Sequence, residues 1–124
     1  MNPPLKVAYV AGPLRADTLN RIAENIARAR AVAVHLWRLG YAVLCPHLNS
    51  AFMSGAVPET QFLEAGLEFV RRSDLVVLVD GWERSEGTVR EIEEAHARGI
   101  PVFTTHKKGR EQSPLTPVEV CING

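Results

Sequence analysis

The chain has no apolar run of roughly 18 residues, the length that crosses a bilayer as a helix. Its opening Met-Asn-Pro-Pro-Leu-Lys leads into a strand pattern and not into a signal peptide. A cytoplasmic protein with no membrane partner is therefore the expectation. Cysteine is scarce as well: Cys45 and Cys121 have neither the spacing nor the companions of a metal site, so they read as buried thiols, and no metal or cofactor is expected. Net charge is missing, because 14 Lys and Arg balance 14 Asp and Glu, and with it goes the basic footprint of a protein that grips polymeric nucleic acid. A small anionic ligand stays open, since it needs only a few local donors. Several familiar α/β chemistries also lack their parts. There is no Gly-x-x-x-x-Gly-Lys phosphate loop, no Gly-x-Gly-x-x-Gly after the first strand, no Gly-x-Ser-x-Gly elbow, and no acidic pair of the kind a phospho-acceptor receiver needs.

What is present fits one globular domain of 124 residues with 46% hydrophobic and 23% charged side chains. Leu5 to Val10 is apolar apart from Lys6 and is stopped by Gly12-Pro13, which predicts a first strand with a sharp exit. From about Asp17, Leu19, Ile22, Ile26, Ala29, Ala33 and Leu36 recur at helical spacing, with Asp17 or Thr18 to cap and Gly40 to stop. Tyr41 to Cys45 gives a second strand ended by Pro46-His47, and strand, helix and strand make one right-handed βαβ unit with parallel strands. Leu48 to Val57 reads as a loop over the edge of the sheet. Pro58 suits a first helical position, ahead of Phe62, Leu63, Leu67 and Val70 on a second helix.

The stretch from Leu75 to Glu91 organises the rest. Leu75 to Val79 is a short continuous apolar run, a strand buried on both faces. Glu91 to Gly99 returns to helical spacing, so Asp80 to Gly87 joins a strand's carboxyl end to a helix start, the edge where open α/β sheets bind ligands. Ile100 to Thr104 supplies a fourth strand, and Val118 to Ile122 is a candidate fifth in an otherwise irregular tail over residues 106–124. The alternation predicts a single-domain α/β fold with its core over residues 5–104: a doubly wound parallel sheet of four or five strands, flavodoxin-like and thus Rossmann-like in the broad sense. Tyr9, Gly12, Arg15, His47, Asp80, Ser85 and Glu91 would then share one edge.

Each of these residues has a plain structural reading beside the functional one. Thr88-x-x-Glu91 has the spacing of a capping box, in which Glu91 only satisfies the helix start. Ser85-x-Gly87 ahead of it leaves backbone N–H groups open to an anion, and both roles can coexist. Arg15 is either a solvated surface charge or, beside Gly12-Pro13 at a strand mouth, a bidentate phosphate clamp. His47 is as readily a loop histidine as a site residue. Tyr9 and Trp82 can pack on the core or stack on a base.

Taken together, the pattern resembles the nucleoside 2-deoxyribosyltransferase superfamily, which includes deoxynucleoside 5′-monophosphate N-glycosidases. Tyr9-Val10-Ala11-Gly12-Pro13-Leu14-Arg15 is similar to the family's opening Tyr-x-x-Gly-x-x-Arg, and Gly40 to His47 to its second strand with a histidine at the mouth. Asp80-Gly81-Trp82-x-x-Ser85-x-Gly87-x-x-x-Glu91 matches its Ser-x-Gly-x-x-x-Glu signature. The resemblance implies Glu91 as nucleophile and Tyr9 as its assistant, with Gly12, Pro13, Arg15, Ser85 and Gly87 around the 5′ end or its phosphate and His47 and Trp82 lining the substrate site. It also implies cleavage of the N-glycosidic bond of a (deoxy)nucleoside or its 5′-monophosphate, by hydrolysis or base transfer, in a homodimer or larger assembly whose neighbouring subunit completes the site; the tail from His106 to Gly124 is a candidate for that contribution. The chain departs from the family at one place. The aspartate that helps protonate the leaving base falls, by a count back from Asp74, on Gly66, while Glu64 is two residues off in register, roughly 200° around a helix. Base protonation would then fall to Asp80, to solvent, or be absent. A non-catalytic nucleotide-binding or sensing protein is the alternative.

Overall fold

The computed structural model describes residues 4–105 together with 107–108, 111–112 and 116–117. In chain order the elements are β1 (Val7–Ala11), α1 (Leu19–Arg38), β2 (Ala42–Leu44), α2 (Pro46–Asn49), α3 (Glu59–Arg71), β3 (Leu75–Leu78), α4 (Glu86–Ala97) and β4 (Val102–Thr104). The short strands β5 (Lys107–Lys108), β6 (Glu111–Gln112) and β7 (Thr116–Pro117) follow. Successive residues of a strand point to opposite faces, and that period divides the core in two. Ala8 and Val10 of β1 and Leu75 and Val77 of β3 pack under Ala29, Val32, Ala33 and Leu36 of α1. Tyr9 and Ala11, with Val76 and Leu78, face the other way, against Val70 of α3 and Ile92 and Ala95 of α4. Both faces of the central strands are thus covered, which is why they read as unbroken apolar runs.

The strand order is β2-β1-β3-β4, all parallel, with β7 added antiparallel to β4. This is the expected doubly wound, flavodoxin-like sheet. α1 crosses from β1 to β2 on one face. The chain then passes back over β1 through α3 on the other face to reach β3, so the winding reverses between β1 and β3, and the carboxyl ends of that pair form the switch-point crevice.

The first helix begins and ends as expected: the Thr18 hydroxyl accepts from the Arg21 N–H at 3.1 Å, and Gly40 takes the left-handed φ of 97° that stops it. Elsewhere the boundaries move. The segment expected as loop, Leu48 to Val57, is entered through one helical turn, α2, which starts two residues earlier with Pro46 at its first position. Pro58 stands at the N-cap of α3 instead of inside it. The expected fifth strand at residues 118–122 lies outside the described residues.

The exit of β1 is packed without slack. A Cβ at Gly12 would lie 2.6 Å from the Val79 Cβ, because the Val79 N–H donates to the Ala11 carbonyl at 2.8 Å and draws the two chains together. Gly12→Ala should therefore cost about 1–3 kcal/mol, as overpacking does. Urea titration should show a lowered midpoint with an unchanged slope.

Candidate active site

A cavity of about 640 Å³ opens at the switch point, walled by the β1 exit (Gly12 to Arg15), α2, α3 and the start of α4. That volume is typical of small-molecule sites. Its floor is a pair of side chains. Tyr9, 2% exposed, points from β1 toward α3 and α4, and its hydroxyl donates to Oε2 of Glu91, one turn into α4. Burial raises the Glu91 carboxyl from its ordinary 4.5 to about 7, against the lowering effect of the Tyr9 bond. Burial, together with the Glu91 charge, also pushes the Tyr9 hydroxyl well above its usual range. Glu91 therefore titrates toward neutrality and not in the usual carboxylate range, and Tyr9 stays a donor.

The capping-box reading of Glu91 is corrected by where α4 starts. Its N-cap is Ser85, whose Oγ accepts from the Thr88 N–H at 3.2 Å and the Thr88 hydroxyl at 2.9 Å. The helix therefore begins at Glu86, and Glu91 is too far in to satisfy its first turn. Ser85 and Gly87 line the cavity from this turn.

His47 is brought to the site by α2. It is 5% exposed, and its Nε2 donates to the Pro13 carbonyl at 3.1 Å, tying α2 to the β1 exit. Burial lowers its pKa although the Pro13 and Gly12 carbonyls favour the charged form, so it is a neutral positioning group and not a cation. Arg15 also reaches the cavity, but its guanidinium forms an ion pair with Glu59 at the start of α3, both side chains largely exposed. The clamp envisaged for phosphate is thus already occupied by a carboxylate of the same chain.

Two expected members stand apart. Asp80 is exposed and lies outside the cavity lining. β3 ends at Leu78, and the left-handed Gly81 (φ 91°) turns the chain straight into the 3₁₀ turn Trp82–Arg84, leaving Asp80 on the outside. Trp82 is half-buried and packs against the core cluster of the α3 and α4 face, and it is not part of the cavity lining.

Sequence reading missed Arg84 and Arg90, which bracket the Ser85-x-Gly87 turn, line the cavity and have no carboxylate partner among the described residues. Their place on either side of that turn was the available signal. It also missed what Gly66 does. This buried glycine sits where α3 crosses the Tyr9–Glu91 pair, and a Cβ there would lie 3.2 Å from both Glu91 Oε2 and the Tyr9 hydroxyl oxygen.

Fold and cavity define an α/β protein with a ligand-sized cleft at the switch point of a doubly wound sheet and one half-buried carboxylate on its floor. The chain belongs to the family described as a domain of unknown function, DUF7768, whose model matches residues 6–105. That span takes in every cavity residue named above. No curated protein matches the chain. No helix among the described residues is long and apolar enough to cross a membrane, and no group of His, Cys, Asp and Glu among them could hold a metal ion.

The raised carboxyl sets a stability signature. Below pH 4.5 Glu91 is protonated whether the chain is folded or unfolded, and no charge is buried. Between 4.5 and about 7 the unfolded chain ionises more readily, so the native state loses stability, and above 7 the loss is complete. Glu91→Gln removes this charge while keeping an acceptor for Tyr9. Denaturant titrations should show the variant gaining on the wild type by on the order of 2–3 kcal/mol between pH 4 and pH 8. A constant difference across that range would mean that Glu91 ionises as an exposed carboxyl does.

Proposed function

We propose that the protein cleaves the N-glycosidic bond of a nucleoside or nucleoside 5′-monophosphate, with Glu91 as nucleophile. One observation carries this reading: a half-buried carboxylate, held by a tyrosine hydroxyl through Oε2, forms the floor of a nucleotide-sized cavity at the switch point. Tyr9 fixes one carboxylate oxygen and leaves Oε1 to attack the anomeric carbon of a bound sugar. The C1′–N bond breaks with its electron pair leaving on the base, and a glycosyl ester forms on Glu91. Water, or an acceptor base, then takes the sugar and returns the carboxylate. The three motif resemblances support the same roles for Tyr9 and Glu91, and the Ser85 to Gly87 turn with Arg84 and Arg90 offers donors and positive charge to a 5′ phosphate.

A second reading, a nucleotide-binding or sensing protein without catalysis, is favoured by Gly66, which stands where the resembling enzymes carry their proton-donating aspartate. Incubation with nucleotides followed by chromatography separates the two: release of free base against recovery of intact ligand.

For a catalyst, Glu91→Gln should lower turnover by roughly three orders of magnitude or more, with the fold intact by circular dichroism. Because attack needs the ionised carboxylate, kcat/KM of the wild type should rise with pH and level off above about 7. Tyr9→Phe removes the bond that lowers the Glu91 pKa, so the rising limb should move to higher pH as the rate falls. A limb left in place in Tyr9→Phe would break the link between the two side chains.

A further inference from the structure

A neutral base leaving C1′ carries away the bonding electrons and needs a proton, which glycosidases commonly supply from a second carboxyl group. The position of α3 that lies against Glu91 is Gly66, which has no side chain to supply one. α3 crosses the Tyr9–Glu91 pair at Gly66, and even a Cβ there would sit 3.2 Å from both oxygens, tight enough that they would have to give by a few tenths of an ångström. A glycine inside a helix costs about 1 kcal/mol relative to alanine, and here it is what lets the helix backbone close on the pair. The remaining carboxylates that line the cavity among the described residues are Glu59, ion-paired with Arg15, and Glu86, exposed in the first turn of α4. His47 commits its Nε2 proton to the Pro13 carbonyl, and the Tyr9 proton is committed to Glu91.

We infer that the site acts on cationic N-glycosides, nucleotides whose base carries a fixed positive charge on the ring that bears the glycosidic bond, a pyridinium nucleotide being the simplest; this rests on the N-glycosidase reading of the same cavity. Such a base leaves as a neutral molecule and needs no acid. Glu91 forms the C1′–O bond, the C1′–N electron pair cancels the ring's charge, and water then breaks the ester, giving the sugar 5′-phosphate, the Glu91 carboxylate and one proton to solvent. The charges match as well. Ionised Glu91 on the floor meets the cationic ring, the Phe62, Leu63 and Val57 walls cover its apolar faces, and Arg84 and Arg90, without a carboxylate partner among the described residues, offer charge to the 5′ phosphate.

Nicotinamide mononucleotide serves as the cationic probe, with AMP, dAMP, CMP and dCMP as neutral ones, each scored by released base as acceleration over its own uncatalysed hydrolysis. Since a general acid contributes about 10²–10⁴-fold where one is used, the cationic probe should be accelerated at least about 100-fold more than any neutral nucleotide. Its kcat limb should also lie below that of its kcat/KM, because a bound cation favours ionised Glu91. Glu91→Gln, folded by thermal melt, should abolish the cleavage. Equal acceleration of neutral nucleotides would overturn the inference and leave the N-glycosidase reading standing. Release of base from neither class, or cleavage that survives Glu91→Gln, would overturn both.

Discussion

The contact between the Tyr9 hydroxyl and Glu91 is the constraint on which one whole layer depends. Among the described residues a carboxylate at this depth has one hydroxyl to satisfy it, and that hydroxyl comes from the middle of the most buried strand pair. Strand period turns Tyr9 toward α3 and α4, Ser85 sets where α4 begins and so which of its residues look down at the sheet, and Gly66 lets α3 close over the top. Three elements meet on two oxygen atoms. The neighbouring core residues Val70, Ile92 and Ala95 hold them there by ordinary apolar burial.

Much of the fold was legible because its signals are local. β1 and β3 are apolar runs buried on both faces, α1 carries its own cap and stop in Thr18 and Gly40, and strand-helix alternation leaves little choice of sheet order. The start of α4 was harder to read because two overlapping four-residue stretches, Ser85 to Thr88 and Thr88 to Glu91, both have cap spacing, and the fold uses the first. The candidate site was legible in its membership and not in its partnerships. Tyr9, Gly12, Arg15, His47, Ser85, Gly87 and Glu91 do line one cavity. Nothing in the sequence near Arg15 announces Glu59, or near Gly66 announces the two oxygens above which it sits, since those contacts join segments far apart in the chain. Asp80 and Trp82 were drawn in by position at a strand end, and the left-handed Gly81 sends them elsewhere.

The division of labour between the two faces of the sheet follows from the same geometry. Among the described residues the buried cluster on the α1 face is Ala, Val and Leu with one thiol, Cys45, whose pKa burial raises, and Tyr41, Val43 and Phe103 pack against it. The α3 and α4 face accepts a tyrosine and, beside it, a carboxylate. Marginal stability tolerates such a group only when the rest of the core is well packed, and a doubly wound sheet supplies that by keeping its other side predominantly aliphatic.

The ion pair between Arg15 and Glu59 ties the exit of β1 to the first turn of α3 across the mouth of the cavity. An anion arriving at Arg15 meets a guanidinium that already has a counterion, so binding there is an exchange of one carboxylate for another acceptor and yields only the difference between two similar interactions. The released Glu59 then faces the solvent from the rim. Selectivity at this mouth is therefore a matter of competition, in which a ligand is ranked by how far it outperforms a carboxylate tethered to the protein at very high local concentration.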